Sequence, residues 1–154
     1  MSIPRKDKIY VLLQFLVFIG WLFDVESLKF QISENLHSLG FLAAAIGFLL
    51  ILVALVQIGS KISPFPSPPE NARLKTTGAF AFARHPIYSG VLFIVFGAAL
   101  WLGSGFKLLI SLLLYLIFFL KSRYEERRLL EKFSEYAEYR NDTGRFFPKF
   151  KGRI

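Results

Sequence analysis

The run LGFLAAAIGFLLILVALVQIG, residues 39–59, constrains this chain more than any other feature, because it carries no charged residue over the length of a bilayer core. A helix crosses that core with about 20 apolar residues. Three further runs are nearly free of charge: 9–23 (IYVLLQFLVFIGWLF), 87–102 (IYSGVLFIVFGAALWL) and 106–120 (FKLLISLLLYLIFFL). These are shorter, and they need their flanks or local bilayer thinning to span. Lys107 is positioned to snorkel toward the headgroups. With 54% of residues hydrophobic, four such blocks leave too little polar surface to coat a water-soluble fold. The chain is therefore expected to be an all-α, polytopic integral membrane protein, a single membrane domain over 1–154 with spans at about 8–24, 38–59, 86–102 and 105–121. The first run has a basic start, as a signal peptide does. WLFDVESLKF, which closes that run and follows it, offers no small-residue cleavage site, so the run is read as a retained helix.

Charge sets the orientation. With four spans, all of the 19 basic residues except Lys29 and Lys107 fall on one side. The positive-inside rule makes that side cytoplasmic, with both termini on it. The basic tail suits anionic membrane lipid, and charges committed to a membrane face argue against nucleic-acid binding. Cysteine is absent, which removes disulfide and thiolate chemistry. His37 and His85 show no ligand spacing, so no metal site is expected.

Residues 60–85 read as a cytoplasmic linker, where Pro64, Pro66, Pro68 and Pro69 favour an extended or turned backbone. Gly103, Ser104 and Gly105 join spans three and four, a connection that permits only a tight antiparallel hairpin. The Gly-x-Gly there follows no strand, which favours turn chemistry over a nucleotide fingerprint. Residues 122–154 form the tail. Over 121–141, KSRYEERRLLEKFSEYAEYRN spaces Tyr124, Leu129, Leu130, Phe133, Tyr136, Ala137 and Tyr139 at roughly helical intervals. That predicts an amphipathic helix continuing from span four along the membrane surface. Gly144 ends it, and Phe146, Phe147 and Pro148 follow as an interfacial anchor.

The hairpin brings two distant motifs to one mouth. Arg84, His85 and Pro86 precede span three. Span four returns to the same side, carrying Glu125 and Glu126 roughly 8–9 Å past its apolar end. Pro86 suits the first position of a helix, and the free N–H groups of that helix start favour an anion. Tyr88 adds a hydroxyl or a flat ring. Cations, two carboxylates and aromatics suit a zwitterion with a flat base, such as S-adenosylmethionine. Its carboxylate would meet His85 or the arginines, and its ammonium Glu125 or Glu126. Each residue also has a plainer role: Arg84 as an orientation marker, His85 as a helix cap, the glutamates as a solvated face, and Tyr136 and Tyr139 as interfacial belt residues. Their convergence on one mouth is what favours a site.

The stretches SPFPSPPENARLKTTGAFAFARHPIYSGVL and EERRLLEKFSEYAEYRNDTGRFFP resemble the isoprenylcysteine carboxyl methyltransferases and related bacterial membrane and phospholipid methyltransferases. The shared pieces are RHPxY followed by Ser89 and Gly90, the Glu pair, FxxYxxY, and TGRFxP. Together they cover about residues 62–150. The resemblance implies methyl transfer from S-adenosylmethionine to a lipophilic acceptor, a prenylcysteine-type carboxylate or a related lipid, at the cytoplasmic membrane face. It implies a cofactor pocket of Arg84, His85, Tyr88, Gly90, Glu125 and Glu126, closed by Tyr136 and Tyr139. Many members carry arginine where this chain has Asp142. Arg145 or Arg140 would then aim the acceptor, while Glu126 or Glu125 holds the donor.

A carboxylate acceptor is already ionised at neutral pH, so positioning and electrostatics suffice without a strong base. Two other readings stand beside this one. RHPxY also suits a nicotinamide-dependent reductase of a polyprenyl or sterol-like substrate, although the Glu pair and the short chain count against it. The third is a non-enzymatic membrane module, an adaptor or lipid-binding subunit.

Overall fold

The computed structural model describes residues 4–59, 63–68 and 72–149. Residues 60–62 and 69–71 of the expected linker and 150–154 of the tail lie outside the described residues. The described residues are all-helical apart from one isolated bridge between Lys29 and Ser104. Six α-helices follow in order: α1 (Arg5–Leu22), α2 (Glu34–Ile58), α3 (Ala79–Phe82), α4 (Pro86–Trp101), α5 (Gly105–Lys132) and α6 (Tyr136–Asp142). A short 3-10 turn, Glu26–Leu28, lies between α1 and α2.

Local chemistry sets the helix ends. α2 stops at Gly59, whose φ of 64° is open to glycine and costly for other residues. α4 starts on Pro86, which fixes φ at the first helical position. It ends before Gly103, at φ 60°. Ser104 caps α5 by accepting a hydrogen bond from the Lys107 amide at 3.1 Å. The Gly103–Ser104 turn therefore closes the hairpin with both helices capped.

Two helices, α2 and α5, are long and apolar enough to cross a membrane. α4 is a shorter apolar helix of 16 residues, about 24 Å long against a core of about 30 Å. α1 has 18 residues, and its first turn is charged. Leu12, Phe15, Phe41, Leu49 and Val56 stand on exposed faces of α1 and α2. A belt of that kind suits lipid rather than water.

Packing is closest between α2 and α4. A Cβ on Gly47 would lie 2.5 Å from the Gly90 carbonyl oxygen, and one on Gly90 2.6 Å from that of Gly47. Gly40 and Gly97 face each other in the same way, at 2.6 and 2.5 Å. The glycines recur every seven residues on both helices, so the backbones touch along one seam, as small residues permit in membranes. α1 and α4 pack against α5. The buried apolar cluster joins Val17, Leu92, Val95, Leu114, Ile117 and Phe118 with Phe146 from the tail.

Two expectations change here. Lys107 does not snorkel outward. Its Nζ donates to the Trp21 and Phe23 carbonyls at 2.7 and 2.9 Å, ending α1, and it lies 4.4 Å from the Trp21 ring centre. Nor does the tail form one amphipathic helix over 121–141. α5 runs through Lys132, and the chain turns at Phe133 (φ −125°, ψ 115°) before α6. The turn lets Tyr136 and Tyr139 bury their rings, and that burial outweighs continuity of the helix.

Candidate functional site

The tail folds back onto the start of α4. Arg84 N donates to the Gly144 carbonyl at 2.9 Å, and His85 N to that of Arg145 at 3.1 Å. Side chains lock this pairing around Glu126. Arg84 donates to Glu126 Oε1 through Nε at 3.0 Å and Nη2 at 2.9 Å. Arg145 reaches Oε1 through Nε at 3.2 Å and Oε2 through Nη2 at 3.0 Å. His85 Nε2 lies 3.2 Å from Oε1, and Arg140 Nε lies 3.7 Å from Oε2. Arg84 Nη1 also donates to the carbonyls of Arg140 and Thr143. The Glu126 carboxylate is 2% exposed as a residue and is fully engaged. Bidentate guanidinium pairing of this kind fixes geometry as well as charge. Glu126 is therefore the knot between the RHP segment and the tail.

Glu125 differs. Its Oε2 accepts from the Tyr88 hydroxyl at 3.1 Å and lies 3.7 Å from His85 Nδ1. Its side chain is 26% exposed. Tyr88 is held flat between the His85 ring (5.3 Å, 3°) and the Phe118 ring (4.6 Å, 20°). Phe146 meets His85, Tyr88 and Tyr115 edge-on.

Two cavities share Arg84, Glu125, Phe80 and Ile58 in their walls. The larger, about 460 Å³, is mainly apolar, walled by Pro64, Phe65, Pro66, Ile87, Val91 and Phe118. His85 and Tyr88 also line it. The proline segment covers this cavity and is pinned to α1 where Ser67 N donates to Asp7 Oδ2 at 3.1 Å. The smaller, about 300 Å³, is lined by Arg73, Lys75, Phe133, Tyr136 and Tyr139. Tyr139 donates to the Phe80 carbonyl at 2.6 Å, whereas the buried Tyr136 hydroxyl has no partner. Burial pushes both phenols well above their ordinary range, so both remain neutral.

Arg84, His85, Tyr88, Glu125, Glu126, Tyr136, Tyr139, Arg140 and Arg145 thus gather at one mouth. Gly90 does not join them. It lines neither cavity, and Gly47 and Ile51 fill the space beside it. Sequence reasoning missed Lys121. It reads as one more cytoplasmic charge, yet it is 1% exposed and lines the apolar cavity. Its Nζ donates to Gln14 Oε1 at 2.7 Å and lies 5.2 Å from the Tyr88 ring centre. The signal was its place four residues before Glu125, on the same face of the helix. Arg73 and Lys75 were likewise read only as orientation charges.

A family model described as phospholipid methyltransferase matches residues 36–136. The Saccharomyces cerevisiae protein-S-isoprenylcysteine O-methyltransferase is 29% identical over 130 residues, covering 81% of this chain and 54% of that protein. The chain thus spans about half the length of this curated relative. Neither match favours the reductase or the adaptor reading. Since the model matches well over half of its residues, including both halves of the mouth, the chain belongs to the phospholipid methyltransferase family.

Proposed function

We propose that this protein is an integral membrane methyltransferase, one domain of four crossings with both termini cytoplasmic, that methylates a lipophilic acceptor with S-adenosylmethionine. The observation that carries this reading is a cavity bearing Arg73 and Lys75 and a more apolar cavity, the two meeting at Glu125 and Arg84. Their volumes lie within or at the lower edge of the usual range for small-molecule pockets.

The smaller cavity fits the donor's chemistry. Arg73 and Lys75 suit a carboxylate, Glu125 suits an ammonium or sulfonium, and Phe133 and Tyr136 offer aromatic surface with one unused hydroxyl. His85 and Tyr88 hold Glu125 at the edge where the cavities meet. Bound there, S-adenosylmethionine supplies an electrophilic methyl group. The apolar cavity suits a prenyl or acyl chain, and Lys121 is the cation within it that orients an anionic acceptor head. A carboxylate there attacks without first losing a proton, so these residues need only position the reactants and exclude water. An amine acceptor would arrive as an ammonium, whose charge the Lys121 cation repels, which disfavours it. Arg140 and Arg145 act through Glu126 as positioning residues, because their guanidinium groups are directed at that carboxylate.

Calorimetry on the protein in lipid nanodiscs tests this. S-adenosylmethionine and its demethylated product are expected to bind, and Glu125→Gln to weaken both by at least about tenfold, as loss of a charge-assisted hydrogen bond implies. No binding by the unmodified protein would end the methyltransferase reading. Unchanged affinity in the variant would remove Glu125 from the donor site.

A further inference from the structure

On the far side of α5 from the mouth, α1 and α5 enclose a third cavity of about 500 Å³, lined by Lys6, Ile9, Tyr10, Leu13, Leu120, Arg123, Tyr124 and Arg127. Nothing in the proposed reaction uses it. Its lining is ordered by depth. α1 and α5 are antiparallel there, with a cation at the shallow end of each, Lys6 and Arg127, and a leucine at the deep end, Leu13 and Leu120. Between them lie Ile9 and Tyr10 on α1 and Tyr124 and Arg123 on α5. The two tyrosine rings meet at 5.9 Å. Arg128 donates to the Tyr124 hydroxyl at 3.2 Å and steadies it. Ile9, Leu13 and Leu120 are 45%, 41% and 51% exposed. The lining contains three cations and no carboxylate.

We infer that this groove binds one anionic phospholipid from the cytoplasmic leaflet. Lys6, Arg123 and Arg127 take the phosphate, the tyrosines sit at headgroup depth, and the acyl chains lie along Ile9, Leu13 and Leu120. The charge is complementary to a phosphodiester. The apolar floor is what distinguishes a lipid from a free phosphate, which has no use for it. Basic side chains near an anionic membrane surface are attracted to it, and aromatic residues favour the interface. Occupancy would also clamp α1 to α5, whose polar link nearby is Gln14 to Lys121.

The full chain, purified in a neutral detergent, is mixed with phosphatidylglycerol or phosphatidylcholine and read by native mass spectrometry. Phosphatidylglycerol is expected to be retained at least about tenfold better. The triple variant Lys6→Gln, Arg123→Gln, Arg127→Gln is expected to lose that preference. Lys8→Gln, an exposed charge outside the groove, is expected to keep it. Thermal unfolding of each variant confirms that a loss is not misfolding. If the triple variant unfolds early, Leu120→Glu is used instead, and lost retention there supports the same site. Equal retention of the two lipids, an equal loss in Lys8→Gln, or displacement by millimolar inorganic phosphate would each overturn the inference.

Discussion

The two ends of α5 solve one problem in opposite ways. Each buries a lysine. At the N-terminal end, Lys107 donates to two carbonyls and faces the Trp21 ring. Around it, Ser104 donates to Asp24 at 2.7 Å and Trp21 donates to Ser111 at 3.1 Å. That charge is consumed in closing the bundle. At the C-terminal end, Lys121 donates one hydrogen bond, to the neutral Gln14, and has a cavity beside it. The adjacent glutamates divide in the same manner, Glu126 among the arginines and Glu125 at the cavities. Burial with full pairing marks structure, whereas burial with a vacant valence beside a cavity marks chemistry.

Substitutions break or sharpen this contrast in a definite order. Glu126→Ala is expected to have the largest effect, because removing one member of a buried ionic cluster leaves two guanidinium groups uncompensated, at about 3–5 kcal/mol. Thermal unfolding in nanodiscs checks this, and limited proteolysis is expected to cleave the released tail after Lys132. Lys107→Met should follow at about 2–4 kcal/mol, since the Trp21 and Phe23 carbonyls lose a charged donor. Its donor affinity per folded molecule should match the unmodified protein, and an unchanged melting temperature would refute its structural role. Lys121→Met should move stability least, within about 1 kcal/mol, as apolar replacement of a buried charge often does. Its acceptor KM, measured with a lipophilic carboxylate, should nevertheless rise by at least about tenfold. Unchanged KM would place the acceptor's head elsewhere.

How much of this was legible beforehand depended on the kind of information each residue carried. The mouth was readable because a three-residue turn between two apolar runs leaves only one geometry. The division of labour between Glu125 and Glu126 was not, because neighbours on a helix point about 100° apart and only the rotation of α5 about its axis decides which meets the arginines. Gly90 invites a ligand reading when taken within its motif. Its spacing to Gly97, matched by Gly40 and Gly47, was the available clue to helix packing. The break at Phe133 escaped the periodicity because the apolar pattern continues across it. What bends the chain is the burial of Tyr136 and Tyr139, a long-range effect invisible in a local window.

The pairing of Arg84 and His85 with Gly144 and Arg145 has a consequence for how the protein is made. Residues 143–146 follow all six helices in the chain, so the helices can pack while the cluster around Glu126 is still incomplete. Completing that cluster is therefore a late docking event, and a chain cut ahead of residue 143 would keep its helices yet leave Glu126 without Arg145.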